Sequence, residues 1–225
     1  MTLAHPGTAE TSAAQAVAAP AQRAAVLEVL CVAYRRYGPL KVLVQSWLNQ
    51  TAPNWRLKVY HDGPDAEFDR IMGEFAREAG PRVSYFHSEQ RFNDYGHSLR
   101  QLALQDAGGD YVLLTNDDNY YVPRFLEFLT GAIASTQADV VMFDMVHSHD
   151  RPGCRPLPAY SYFQTQYSRG NIDMGAAVVK TELARAAGFR DKSHDGDATY
   201  FEDVARARGG ALSVCKISRT LFVHN

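Results

Sequence analysis

The 225-residue sequence predicts a single α/β domain built on a mostly parallel sheet flanked by helices, and three observations carry that prediction. Apolar runs of strand length alternate with amphipathic helical stretches along the first half of the chain. Glycine and proline punctuate the changeovers. The composition, 46% hydrophobic and 21% charged, is that of a globular chain able to bury a sizeable core.

Val26 to Ala33 is an apolar run broken only by Glu28, as a strand buried on both faces requires. After Gly38-Pro39, residues Leu40, Leu43, Val44, Trp47 and Leu48 fall on one helical face, with Pro39 suited to the first turn. Trp55 to His61 is the second strand, ended by Asp62-Gly63-Pro64. Phe68, Ile71, Met72, Phe75 and Ala76 mark a helix closing near Gly80, and Arg82 to His87 is the third strand. Leu99, Leu102 and Ala103 give the core face of the next helix, stopped by Gly108-Gly109 before a fourth buried strand, Tyr111 to Thr115. Alternation of this kind implies right-handed crossovers, with ligands beyond the carboxyl ends of the strands. Phe125, Leu126, Leu129 and Ile133 form another helical stripe, followed by a strand from Val140 to Phe143 and a long irregular loop from His147 to Arg169. A small-residue strand around Ala176 to Val179 and a short helix from Thr181 to Gly188 come next, and the chain closes on an apolar strand at Leu221 to Val223.

Residues 1–24, rich in Ala, Thr, Gln and Pro, read as a mobile tail without a signal peptide, leaving 25–225 as the domain. No stretch of about 18 apolar residues exists to span a membrane, so any membrane contact is peripheral. The three cysteines, Cys31, Cys154 and Cys215, are widely spaced and fit a reducing, cytoplasmic compartment. A formal charge of -2 gives no field for a nucleic-acid partner.

The segment Thr115-Asn116-Asp117-Asp118-Asn119 places adjacent acids at the end of a buried strand. Carboxylates in that position suit a hard divalent cation, Mn²⁺ or Mg²⁺, whose remaining ligands come from phosphates. An Asx-rich turn capping the following helix is the structural alternative.

In order and spacing, these pieces resemble family-2-type glycosyltransferases with a GT-A fold. Val29 to Tyr34 resembles that family's first strand, and Gln45 to Pro53 its "SLLxQTxP" stretch. Tyr60-His61-Asp62-Gly63 resembles its Asp-Asp-Gly turn with His61 replacing the first acid, Arg100 to Leu104 its Arg-Asn helix, and Gly109 to Val112 its "GEYI" strand. The resemblance implies a nucleotide-sugar donor of UDP or dTDP type, a glycan or other hydroxyl-bearing acceptor, and inverting, hexosyltransferase-like chemistry. It places Ala33, Tyr34, Asp62, His97, Arg100, Asn116 and Asp117 at the nucleotide sugar, and Asp118 on the metal. Asn116 stands where the common pattern has an acid. Tyr34 could equally be packing, Asp62 a turn former, and Arg100 a solvated helix residue.

Asn171 to Val179 resembles the family's strand near the acceptor, with Asp173 either binding an acceptor hydroxyl or capping a turn. Four acids follow in His194 to Asp203. Asp197 has the spacing of the family's base, at the start of a helix ending at Gly209-Gly210, whereas Glu202-Asp203 resembles its Glu-Asp pair only superficially. Asp197 is therefore the expected base, and its alternative role is an N-cap. His224, near the end of the final strand, is the second candidate metal ligand. Two other function classes remain at this point: a nucleotidyltransferase, disfavoured because Ala33 to Gly38 contains one glycine, and a non-catalytic carbohydrate- or nucleotide-binding module.

Overall fold

The computed structural model describes residues 24–148 and 160–225. Most of the expected tail, and the middle of the expected long loop with Cys154, lie outside the described residues. The elements run β1 (Leu27–Ala33), α1 (Tyr37–Leu48), β2 (Trp55–His61), α2 (Ala66–Ala79), β3 (Val83–His87), α3 (His97–Gln105), β4 (Tyr111–Asn116), β5 (Tyr120–Tyr121), α4 (Phe125–Thr136), β6 (Val140–Ser148), β7 (Tyr160–Phe163), β8 (Ala177–Lys180), α5 (Thr181–Ala187), α6 (Gly196–Ala207) and β9 (Val214–His224).

One sheet joins the strands in the order β3-β2-β1-β4-β8-β6-β9-β5, with β7 paired to β6. The parallel pairs β1/β2, β1/β4, β2/β3 and β6/β9, together with β8 lying antiparallel between β4 and β6, make β1, β2, β3, β4, β6 and β9 run one way. Their carboxyl ends therefore open on one side of the sheet. Burial on both faces explains the uninterrupted apolar strands: on β1, Leu27, Val29, Cys31 and Ala33 face a core shared with α1, α2 and α4, while Leu30 and Val32 face a second core with α3, α5 and α6. Trp47, on the predicted face of α1, is fully buried between Trp55, Tyr121 and Phe125, at ring separations of 5.1 to 5.8 Å. Truncating such a residue typically costs about 3–5 kcal/mol.

Three expectations need correction. Leu102, read as a core position of α3, is 44% exposed, because the helix turns Leu99, Ala103 and Leu104 to the sheet instead. The closing strand is far longer than Leu221 to Val223, since β9 begins at Val214 and pairs along β6 with register shifts around Asp144. The predicted irregular loop contains β7, whose Tyr160 to Phe163 pair with Met145 to Ser148 of β6. Within that region Tyr167 packs against the second core and donates to the Phe201 carbonyl at 2.7 Å, which makes it a cover over the core.

Candidate active site

A cleft of about 830 Å³ opens beyond the carboxyl ends of β1, β2, β4 and β9. Its lining includes Ala33, Tyr34, Asp62, His97, Arg100, Asn116, Asp173, Asp197 and His224, which come from seven separate stretches of chain. A larger cavity of about 1050 Å³ lies by Gly109, Asp110 and Tyr111, where β4 begins. Ligands of parallel α/β sheets bind at the other end, and the candidate residues line the cleft there except Asp117 and Asp118, which sit behind the cleft-lining Arg36.

At one wall the parallel register sets Val32 against Asn116, so the β1-α1 connection meets the β4 turn. Asp117, fully buried, accepts the Tyr34 amide N–H at 3.1 Å. Burial first, and the adjacent Asp118 in addition, push its carboxyl up to about 6 against the pull of Arg36. The Arg36 guanidinium pairs with both Asp117 and Asp118. Oδ1 of Asp118 is buried without a hydrogen-bond partner. The Asn225 side chain donates to the Asp118 carbonyl at 2.7 Å, which ties the end of β9 to the acidic turn.

Tyr34 sits at the mouth, its ring 5.7 Å from His61 and nearly parallel to it, with the Arg91 guanidinium 3.9 Å from the ring centre on a cation–π contact. Both oxygens of Asp62 are engaged by the chain itself, accepting the amides of Phe92 at 2.7 Å and Asn93 at 2.9 Å. Asp62 thus folds the 91–96 loop over the cleft. That loop holds Asn93, Tyr95 and Gly96 at positive φ. At Gly96 only glycine fits, because a Cβ would lie 2.8 Å from Val32 Cγ2.

Behind these lies Arg100, buried rather than solvated. It donates from Nη2 to Asn116 Oδ1 at 2.5 Å and from Nη1 to the Tyr95 carbonyl at 2.9 Å, while its Nε has no partner. Nδ1 of His97 accepts from Arg100 at 3.1 Å, which leaves Nε2–H to donate to the Ser193 carbonyl at 3.0 Å. Those contacts fix a neutral ring, in keeping with the downward shift that burial and then Arg100 impose on His97. With both nitrogens engaged, His97 is placed to hold Arg100 and to tie α3 to the Ser193 carbonyl.

Asp197 is the second residue of α6, and Asp195 holds the N-cap position. Its Oδ1 is buried, has no hydrogen-bond partner and lies 4.0 Å from His97 Nδ1, while the side chain as a whole is 36% exposed along the cleft. Burial raises its pKa, opposed by Arg100 and reinforced by Asp173. Gly196 lets α6 approach this closely, since a Cβ there would fall 2.6 Å from His97 Nε2 and 2.8 Å from the Asp191 carbonyl. Glu202 and Asp203 do not line the cleft: Glu202 is paired with Arg169, and Asp203 with Arg190 and Arg206. Asp173 caps a 3-10 turn, Met174–Ala176, through the Gly175 amide at 2.8 Å, and its other oxygen is 3.8 Å from His224 Nε2. His224 Nδ1 is buried without a partner.

Residues 28–195, three quarters of the chain, match the family described as glycosyl transferase family 2. The chain belongs to that family. An uncharacterized glycosyltransferase of Rickettsia bellii is 27% identical over 105 residues, covering 47% of this chain and 14% of that protein. Among solved structures, residues 1–349 of Staphylococcus aureus TarS share 16% identity and a TM-score of 0.69, covering 89% of this chain and 60% of that one. The same TarS fragment in complex with UDP-GlcNAc gives 0.71 at 16% identity over 88% and 58%. The mannosyltransferase PcManGT of Pyrobaculum calidifontis, in complex with GDP-Man and Mn²⁺, gives 0.65 at 16% identity over 89% and 56%. The fold is thus that of these GT-A glycosyltransferases, and this chain spans 60% or less of the length of each of these proteins.

Sequence reasoning did not single out Arg36, Arg91, Tyr95 or His194 as site residues, although all four line the cleft. Arg36 carried the only available signal, an arginine three positions after the first strand. No described helix is long and apolar enough to cross a membrane.

Proposed function

We propose that this domain performs metal-dependent, inverting transfer of a glycosyl group from a UDP- or dTDP-type sugar to an acceptor hydroxyl. The observation that carries the reading is that Asp117 and Asp118, just after β4, and Asp197, in the first turn of α6, come from distant parts of the chain to one end of the sheet, where Asp197 lines the cleft and the cleft-lining Arg36 pairs with both other acids. The family, and the nucleotide-sugar complexes of TarS and PcManGT, support a nucleotide-sugar donor. The family assignment also disfavours the nucleotidyltransferase reading.

The residues fit a divalent cation, Mn²⁺ or Mg²⁺. Asp118 leaves a buried oxygen unpartnered, His224 a buried ring nitrogen, and a guanidinium already serves as positive counter-charge to the acidic pair. Among the described residues no three His, Cys, Asp or Glu side chains converge as a ready-made cage; Asp118 and His224 would hold the ion, with phosphate oxygens of the donor as further ligands. When bound, the ion neutralises charge that develops on the leaving diphosphate.

The chain's own residues divide the remaining work. Tyr34 and the Asp62-held loop receive the nucleoside, and the Arg100-Asn116 pair orients the floor beneath the diphosphate. Asp197 accepts the proton of the acceptor hydroxyl as its oxygen bonds to the anomeric carbon. The bond from that carbon to the phosphate oxygen breaks with its electrons going to the diphosphate. A single displacement of this kind inverts the anomeric centre and needs no covalent intermediate. Asp173 lies across from Asp197, where it can hold the acceptor.

Thermal unfolding with UDP or dTDP, in Mn²⁺ or in EDTA, tests the reading. A ligand at about 100 times its Kd stabilises by about 2.7 kcal/mol, or roughly 5–10 °C for a domain of this size. That shift is expected only with the ion and is lost in Asp118→Ala. Equal nucleotide stabilisation in EDTA would sink metal dependence, and binding without turnover of any nucleotide sugar would favour the non-catalytic module.

A further inference from the structure

We propose that Arg36 is a resident counter-cation of Asp117 and Asp118, and that it must leave them before a divalent ion can be held, so that metal and nucleotide bind this protein together and not separately. The inference rests on the reading of the acidic pair given above.

Arg36 immediately precedes α1, and its guanidinium reaches both acids at once, one nitrogen to each carboxylate. Two neighbouring carboxylates, one of them wholly buried, cannot both stay ionised cheaply without a cation. The planar guanidinium fork meets that need, where a lysine would offer only a point charge. Its position therefore coincides with a place where these two acids could share an ion.

The lock is releasable. The Arg36 side chain is 50% exposed, so on leaving the acids it passes into water at the cleft mouth with little loss of packing. Arg100, a buried cation nearby, is committed to Asn116 and Tyr95 and does not take its place. A diphosphate arriving at the cleft supplies the compensating acceptors, since a guanidinium pairs with phosphate oxygens as readily as with carboxylates. Nucleotide thus draws Arg36 off the acids while its phosphates complete the ligand set of the ion. Arg36 acts here as a positioning residue.

The experiment is calorimetric titration of Mn²⁺ into the full chain, with and without UDP, for wild type, Arg36→Gln, Arg36→Lys and Arg35→Gln. Arg35 pairs with Asp65 at 3.4 Å, so Arg35→Gln removes an equal charge beside the cleft without touching the acidic pair. Circular dichroism melting confirms that each variant is folded. Without nucleotide, Arg36→Gln is expected to bind Mn²⁺ at least about tenfold more tightly than wild type. Arg36→Lys should fall between them and Arg35→Gln close to wild type. UDP should raise Mn²⁺ affinity strongly in wild type and only weakly in Arg36→Gln, because the coupling resides in Arg36. If UDP strengthens Mn²⁺ binding equally in wild type and Arg36→Gln, and their nucleotide-free affinities match, the metal site stands and the Arg36 lock is wrong. A gain in Arg35→Gln equal to that in Arg36→Gln also overturns it, in favour of a general charge effect. If no protein binds Mn²⁺ even with UDP present, the metal reading falls and the lock falls with it.

Discussion

Replacing Asp197 by Asn separates catalysis from binding, because the carboxylate acts only while the acceptor proton is moving. The substitution is nearly isosteric, and Oδ1 has no hydrogen bond to lose. Folding should hold for a further reason: burial raises the Asp197 pKa, so the charged form is less favourable in the folded chain than in the unfolded one. That penalty is absent below the ordinary carboxylate value of about 3.9 and complete above the raised folded value. Asn removes it, and the melting temperature at pH 7 should stay level or rise. Donor affinity, set at the other wall of the cleft, should change by less than about twofold. Turnover should fall by about 10²- to 10⁴-fold, equivalent to about 2.7–5.5 kcal/mol of barrier, the usual contribution of a general base. The raised pKa makes the carboxylate a stronger base and argues for the upper part of that range. It also places the acid limb of the wild-type rate profile above the ordinary carboxylate region, and the limb should vanish in the variant. Steady-state kinetics across pH with a donor identified by the thermal screen provide the assay, with Glu202→Gln and Asp203→Asn as controls. Turnover within about fivefold of wild type in Asp197→Asn, or loss of transfer in either control instead, would refute the assignment.

Two further outcomes follow from the hydrogen-bond geometry. Asp62→Ala removes two carboxylate contacts to the Phe92 and Asn93 amides, each worth about 1.5–3 kcal/mol as a bond to a charged group; the loop should loosen and nucleotide binding weaken, while its metal dependence persists, and unchanged titration of UDP would confine Asp62 to turn formation. Asp139, away from the cleft, is buried, which alone would raise its pKa, but bonds from Lys180 at 2.9 Å, Arg208 at 2.8 Å and the Ser213 amide at 3.1 Å hold it at about 2. Its contribution of about 2 kcal/mol is present above about pH 4 and lost as pH falls through about 2, so Asp139→Asn should flatten the acid end of the stability curve, and an unaltered slope between pH 4 and 2 in denaturant melts would contradict this.

The sequence by itself determined the architecture of the first half and singled out the acids proposed for the chemistry. Strands β1 and β4 were legible because burial on both faces leaves nearly continuous apolar runs, and β2 and β3 because alternating apolar residues recur between turns marked by glycine or proline. The acids of Asp117-Asp118 and the start of α6 at Asp197 were legible for a related reason: polar residues at the carboxyl end of a buried strand, or at a helix start before a distant glycine, stand out against their local pattern. Tertiary structure alone decided which of these residues share a cleft and what each one touches. The length of β9 depends on its pairing with β6, so its polar middle carries no strand period of its own. Leu102 turned outward because the sheet needs only one face of a short helix. Arg36 meets acids 81 and 82 positions away, Asp62 is drawn to a loop 30 residues on, and Glu202 and Asp203 are taken up by arginines. Local periodicity reports which side of an element is apolar, whereas these pairings are made by crossovers that bring distant strand ends together, and no local pattern encodes them.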